Sequence, residues 1–337
     1  MKSLVAGLGM LAALMASPVL AQENVREEWK TFHSAAMEGN LEGNTADREV
    51  LVLTPPGYDE NTDKHYPVVY FLHGYFGSPK GYQQLIHFKE AMEAAAAAGN
   101  ELILVVPNGD SKMKGGFYSS GPTVGDYEDM VAHDLVEWVD ANYRTIPDRE
   151  SRGLAGHSMG GYGTIRVAMK HPGIFSSIYM MSACCLQPMP IDVDTAKRIE
   201  GMSEEEVANA DFFGLAPVST LVTWSPDPKS DSFLKADTGL REDGTLDPLV
   251  NYRLVANSPT VILPQYLPSL TGLEAFAMDI GDKDFLLEPN AQFRSELDRF
   301  GVKYTFEEYE GDHVSHIADR LRDKVLPFFG EHLDKPE

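Results

Sequence analysis

The chain has 337 residues, 43% of them hydrophobic and 23% charged, with a formal net charge of −23 at pH 7. That composition is globular and long enough for one large α/β domain. A surface this acidic repels nucleic acid and anionic membranes, so neither is expected as a partner.

The chain begins with Lys2, an apolar run from Leu4 to Met15, and Val19-Leu20-Ala21 ahead of Gln22. A small or apolar residue at −3 and alanine at −1 fit a signal peptide over residues 1–21, cleaved after Ala21. The run is short for a membrane span, and no cysteine follows the cut to carry a lipid. A secreted or periplasmic protein is therefore expected, with residues 22–337 as its folded part and a charge of about −24 once Lys2 is lost.

Glu23 to Asp47 shows no clear period. Glu49–Thr54 reads as a strand stopped by Pro55-Pro56-Gly57, and Tyr66–Leu72 as a strand buried on both faces, ending in His73-Gly74-Tyr75. A helix is expected over Gly81–Ala98 and a buried strand over Glu101–Val106. A glycine-rich loop holding Phe117 and Tyr118 follows, then an amphipathic helix over Asp126–Tyr143. Arg152–Gly156 is a short buried strand, Tyr162–Lys170 a helix, and Ile174–Met181 another strand. From about residue 186 to 267 the alternation lapses, and this stretch, which includes Trp224, reads as a cap-like insertion over the carboxyl ends of the strands. Strands at Leu273–Ile280 and Val302–Tyr309 and helices at Pro289–Phe300 and Val314–Leu333 resume the pattern. Such alternation implies a mostly parallel sheet covered on both faces, with ligands bound beyond the strand carboxyl ends.

The chemistry centres on Gly156-His157-Ser158-Met159-Gly160, set between a strand and a helix. A serine on so sharp a turn has strained backbone angles, and glycine two residues to either side clears space for it. A serine hydroxyl needs a base to take its proton, and the base needs a carboxylate to orient it. In elbow enzymes of this layout the chain order is serine, acid, histidine. His313, in the loop after the last strand, suits the base better than His316, which lies three residues further on. His171 suits a helix cap, and His332 lies in the terminal helix. Asp282 and Asp284 both follow the turn at Gly281, and spacing alone does not separate them; Asp279 is still on its strand. Two N–H groups must hold the oxyanion, and those of Met159 and Tyr75 are placed to do so. His73 and His157 are expected to hold loops in place through their rings. The adjacent Cys184 and Cys185 have no zinc-ligand spacing, and two buried thiols at a strand end are expected over a strained disulfide between neighbours at a pocket rim.

In their order along the chain, Tyr70-Phe71-Leu72-His73-Gly74, Gly116-Phe117-Tyr118, Asp126-Tyr127-Glu128-Asp129, Gly156–Gly163, Gly281-x-x-Asp284 and Gly311-Asp312-His313 resemble the esterase-D-like family of α/β-hydrolases. That group includes S-formylglutathione hydrolases and feruloyl and acetylxylan esterases. The resemblance implies an α/β-hydrolase catalytic domain with the insertion placed before the acid-bearing strand. It also implies Asp284 as the acid and a serine carboxylesterase, which needs no metal or cofactor; the aromatic residues of the loop and the insertion, not the resemblance, lead to the expectation of small to medium acyl, aryl or carbohydrate esters. Phe117, Tyr118 and Trp224 are expected to line the acyl pocket. The same groups would serve acyl transfer to a sugar or alcohol. A non-catalytic binding module would be expected to lack a member of the serine, acid and histidine set, and all three are present. The usual Gly-Gly-His followed by Asp-Trp is replaced by Gly311-Asp312-His313-Val314-Ser315.

Overall fold

The computed structural model describes residues 24–335, and the expected signal peptide lies outside them. Eight strands form the main sheet: β1 (Arg26–His33), β2 (Asp47–Thr54), β3 (Val68–Leu72), β4 (Ile103–Pro107), β5 (Arg152–His157), β6 (Ser177–Met181), β7 (Ala275–Gly281) and β8 (Thr305–Tyr309). Their spatial order is β1-β2-β4-β3-β5-β6-β7-β8, and only β2 runs against its neighbours. This is the α/β-hydrolase order.

The side-chain period of two explains how the sheet is covered. Val68, Tyr70 and Leu72 of β3 face one buried cluster, while Val69 and Phe71 face the other. The helices of eight or more residues are α1 (Pro79–Ile86), α2 (Phe88–Ala97), α3 (127–142), α4 (Met159–Lys170), α5 (Val193–Glu200), α6 (Phe212–Trp224), α7 (Pro248–Val255), α8 (Leu287–Arg299) and α9 (317–332). Residues of α1, α2 and α9 pack on one face, and residues of α3, α4 and α8 on the other. Leu215, Val218, Leu221 and Val222 of α6 join the same cluster as α3 and α4, so the stretch between β6 and β7 shares the main core.

Two local expectations are corrected. β1 carries no apolar alternation because it is an edge strand with only Phe32 buried, so its sequence did not mark it as a strand. The helix expected over Gly81–Ala98 breaks at His87, whose φ of 56° ends α1 in the left-handed region before α2 begins.

The elbow helix α4 is fastened to α3 through charge. The Glu128 carboxylate accepts from Arg166 Nε at 2.7 Å, from Lys170 Nζ at 2.6 Å and from the Ser120 N–H at 3.1 Å. Burial pushes its pKa up, but His171, Arg166 and Lys170 together outweigh burial and hold it at about 2. Glu128→Gln would leave the Arg166 guanidinium buried without its counter-charge. That change is expected to cost about 3–5 kcal/mol, read as a fall in thermal midpoint, with the circular-dichroism spectrum of the remaining folded protein unchanged.

Candidate active site

Ser158 sits between β5 and α4 with φ 58° and ψ −115°, a conformation that a non-glycine residue keeps only under constraint. Its N–H donates to Met181 O at 2.9 Å, and its carbonyl accepts from Cys184 N and Tyr162 N, both at 3.1 Å. Glycine is required at 160 because a Cβ there would strike the carbonyl of Leu72 at the end of β3. The elbow is therefore pressed against the central strand as well as bent.

The loops after β7 and β8 bring two further groups to the serine. His313 Nε2 lies 3.0 Å from Ser158 Oγ, and His313 Nδ1 lies 2.9 Å from Asp284 Oδ2. The two loops approach so closely that a Cβ on Gly281 would overlap the backbone of Gly311. Burial tends to raise the pKa of Asp284, but the bonds from His313 and from the Leu286 N–H bring it below the ordinary carboxylate value. Asp282 does not reach the imidazole; its Oδ1 accepts from the Gly311 N–H at 2.9 Å and so pins the histidine loop. Asp279 is buried against Arg320 Nε and Tyr179 OH, both at 2.8 Å. His316 points to Asp319, and His171 caps α4.

A second layer of hydrogen bonds fixes these loops to one another. The Gly74 N–H donates to Tyr82 OH at 2.8 Å, Tyr82 OH meets His157 Nδ1 at 2.8 Å, and His157 Nε2 meets His313 O at 2.8 Å. One proton arrangement satisfies all three bonds, with Tyr82 O–H donating to Nδ1 and Nε2–H donating to the carbonyl. His73 accepts from the Gly109 N–H through Nε2 and donates to its neighbour's carbonyl, Gly74 O, through Nδ1. The Tyr75 N–H, between Gly74 and Phe76, has no acceptor among the described residues. The Met159 N–H, first in α4, has none within its helix.

A cavity of about 560 Å³ opens over Ser158, walled by Phe117 and by apolar side chains that include Met189, Phe212, Phe213 and Phe285. Tyr118 and Trp224, expected in its lining, are not there. Tyr118 is fully buried with its hydroxyl on His73 O, and Trp224 stands behind Phe117 with Nε1 on Ser119 Oγ at 3.0 Å. Both use their polar end to bind the protein, which turns them inward. The cysteines are likewise corrected: Cys184 and Cys185 are unpaired and only half-buried, and both line the cavity. Met189 and Phe285 in irregular segments, and Phe212 and Phe213 at the start of α6, carry no sequence signal that separates lining from core.

Residues 21–258 match the Esterase family. A mycobacterial protein, "Esterase Rv1288" of Mycobacterium tuberculosis, is 33% identical over 134 residues, covering 38% of this chain and 27% of that protein. Mouse S-formylglutathione hydrolase is 28% identical over 144 residues, 35% of this chain and 46% of that enzyme. The match thus spans less than half the length of either relative. Among solved structures, a ferulic acid esterase superposes with a TM-score of 0.67 at 22% identity, covering 93% of this chain and 100% of that one. An S-formylglutathione hydrolase from Agrobacterium tumefaciens gives 0.62 at 17% identity, over 94% and 99%. At those identities the likeness concerns the fold.

The two buried imidazoles make the fold acid-sensitive. Burial, reinforced by neighbouring His313, lowers the pKa of His157 to about 3, and burial lowers that of His73 to about 4. Both lie below the unfolded value, so their contribution is complete above about pH 6.5 and is lost as pH falls toward the folded values. Between pH 6.5 and about 5 each histidine is expected to cost the fold roughly 2 kcal/mol. Urea titrations at several pH values should show this loss, with a shallower pH slope in His157→Gln even though that variant is less stable at neutral pH.

Proposed function

This chain belongs to the Esterase family and, within it, to the esterase-D-like α/β-hydrolases, and on that premise we propose that it is an exported serine esterase acting through an acyl-enzyme. The observation that carries the reading is the line from Asp284 through His313 to Ser158, both links at or below 3.0 Å, ending beneath an open cavity.

Ser158 Oγ attacks the ester carbonyl as its proton passes to His313 Nε2. Asp284 holds Nδ1–H and stabilises the imidazolium that forms. The negative oxygen of the tetrahedral intermediate settles between the N–H groups of Tyr75 and Met159, a contribution typically worth roughly a hundred- to thousandfold in rate per donor. The leaving alkoxide takes the proton from His313, and water then repeats the sequence on the acyl-enzyme. The half-exposed Phe212, with the more exposed Phe213 and Phe285, gives the cavity an apolar wall, which favours small to medium alkyl or aryl acyl groups. The helical stretch over residues 186–267 serves as a cap that supplies part of this wall.

Hydrolysis of p-nitrophenyl butyrate is expected to fall by at least about 10³-fold in Ser158→Ala, and by about 10⁴-fold in Asp284→Asn, with the folded spectrum unchanged. A fluorophosphonate probe should label the wild type and not Ser158→Ala. Near-normal turnover in either variant would remove the proposal. Phe213→Ala is expected to raise KM for butyrate and aryl esters several-fold while leaving acetate unchanged; a series peaking at long acyl chains would contradict the acyl-size assignment. Product analysis with added alcohol distinguishes water from alcohol as the acceptor.

A further inference from the structure

At the far end of the elbow helix, three side chains turn their ligand atoms toward one another. His133 Nε2 on α3 lies 3.3 Å from His171 Nδ1 at the end of α4. Asp129 Oδ1, one turn before His133, lies 3.7 Å from His133 Nε2 and 4.0 Å from His171 Nδ1. Ligands held about 2.0–2.2 Å from a tetrahedral zinc ion stand roughly 3.4 Å apart, so the longest side of the triangle must contract by about half an ångström and the others by less. Both Asp129 and His133 have side chains about half exposed, at 50% and 47%, and are free to make that adjustment.

Hydrogen bonding alone does not account for the cluster. The two imidazole nitrogens can share one proton, but the Asp129 oxygen is beyond hydrogen-bonding distance of both. Among the described residues no lysine or arginine pairs with Asp129; Lys170 and Arg166 are taken by Glu128. The surroundings are those of a metal-ligating histidine. Nε2 of His171, the nitrogen facing away from the triangle, lies 3.8 Å from Glu128 Oε2, a carboxylate that a small movement of the ring would bring into hydrogen-bonding range, where it would hold the tautomer and strengthen the ligand. The helix carrying the other two ligands is π-helical over Met130–Asp134, a local widening that occurs often at functional positions.

We propose that Asp129, His133 and His171 bind one zinc ion, with water in the fourth position. Two imidazoles and one carboxylate suit zinc over calcium or magnesium. The site is separate from the chemistry at Ser158: the 12 residues of α4 put roughly 18 Å of helix between the two ends. The ion clamps the carboxyl end of the elbow helix to α3, so it stabilises the fold without entering the reaction.

The test uses the full chain freed of metal with chelator and titrated with zinc chloride, by calorimetry and thermal melting. One zinc per chain at micromolar affinity and a rise of several degrees in thermal midpoint are expected. Calcium and magnesium should give neither. Cobalt in place of zinc should give the strong visible absorption of a tetrahedral site. His133→Ala and Asp129→Asn should each weaken zinc binding at least tenfold and abolish the thermal shift, while esterase turnover in metal-free buffer stays at the wild-type level. Equal zinc uptake by the wild type and His133→Ala, or no uptake below about 1 mM zinc, would overturn the assignment.

Discussion

The architecture depends on one strained residue held from three sides. Ser158 adopts φ 58° and ψ −115°, a conformation that costs of order 1–3 kcal/mol and would relax in a free peptide. Its N–H is tied to the end of β6, its carbonyl takes two further bonds, and Gly160 lets the first turn of α4 press onto the Leu72 carbonyl. The cost is carried by the sheet, whose central strands are buried on both faces. In return the hydroxyl stands clear of its own helix, and α4 starts with N–H groups that have no partner within it.

Around the elbow, stability and positioning come from the same hydrogen bonds. His157 is next to the serine in sequence, yet its ring bridges two segments distant in the chain, meeting Tyr82 on one side and the His313 carbonyl on the other. Because Tyr82 also holds the Gly74 N–H, the loop presenting Tyr75, the elbow and the histidine loop are linked through one buried imidazole. Keeping that imidazole neutral is what allows it to donate from one nitrogen and accept at the other. Asp282 does the same service on the opposite side, tying the acid loop to Gly311.

The cavity wall is organised differently. Its aromatic side chains come from irregular segments and from the helices between β6 and β7, and several remain partly exposed. They rest on an inner aromatic layer, in which Tyr75 stacks on Phe117 at 5.5 Å and Trp224 packs behind Phe117 at 5.1 Å. Met189, Phe212 and Phe213 of this outer layer can change without disturbing the elbow, whereas Phe285 follows Asp284 and packs on the His313 ring at 4.7 Å, so it is tied to the loops that meet Ser158.

Much of this was legible in the chain itself. Alternation of buried strands and helices follows from local period, and the glycines around Ser158 follow from the crowding of the turn, so the sheet and the elbow are legible in the sequence alone. His313 could be placed from its position after the last strand. Spacing could not separate Asp282 from Asp284, since both follow Gly281; only the packed loops show Asp284 on the imidazole and Asp282 on Gly311. β1 is not legible because an edge strand needs only one buried side chain, and Tyr118 and Trp224 cannot be told from cavity-lining aromatics until their polar ends find partners. The meeting of Asp129, His133 and His171 joins positions up to 42 apart in the chain, through the packing of α3 against α4. Sequence alone determines which residues are able to bend, ionise or bury themselves. Which of them meet is decided by tertiary structure, because hydrogen bonds and ligand geometry depend on fractions of an ångström that only the packed chain sets.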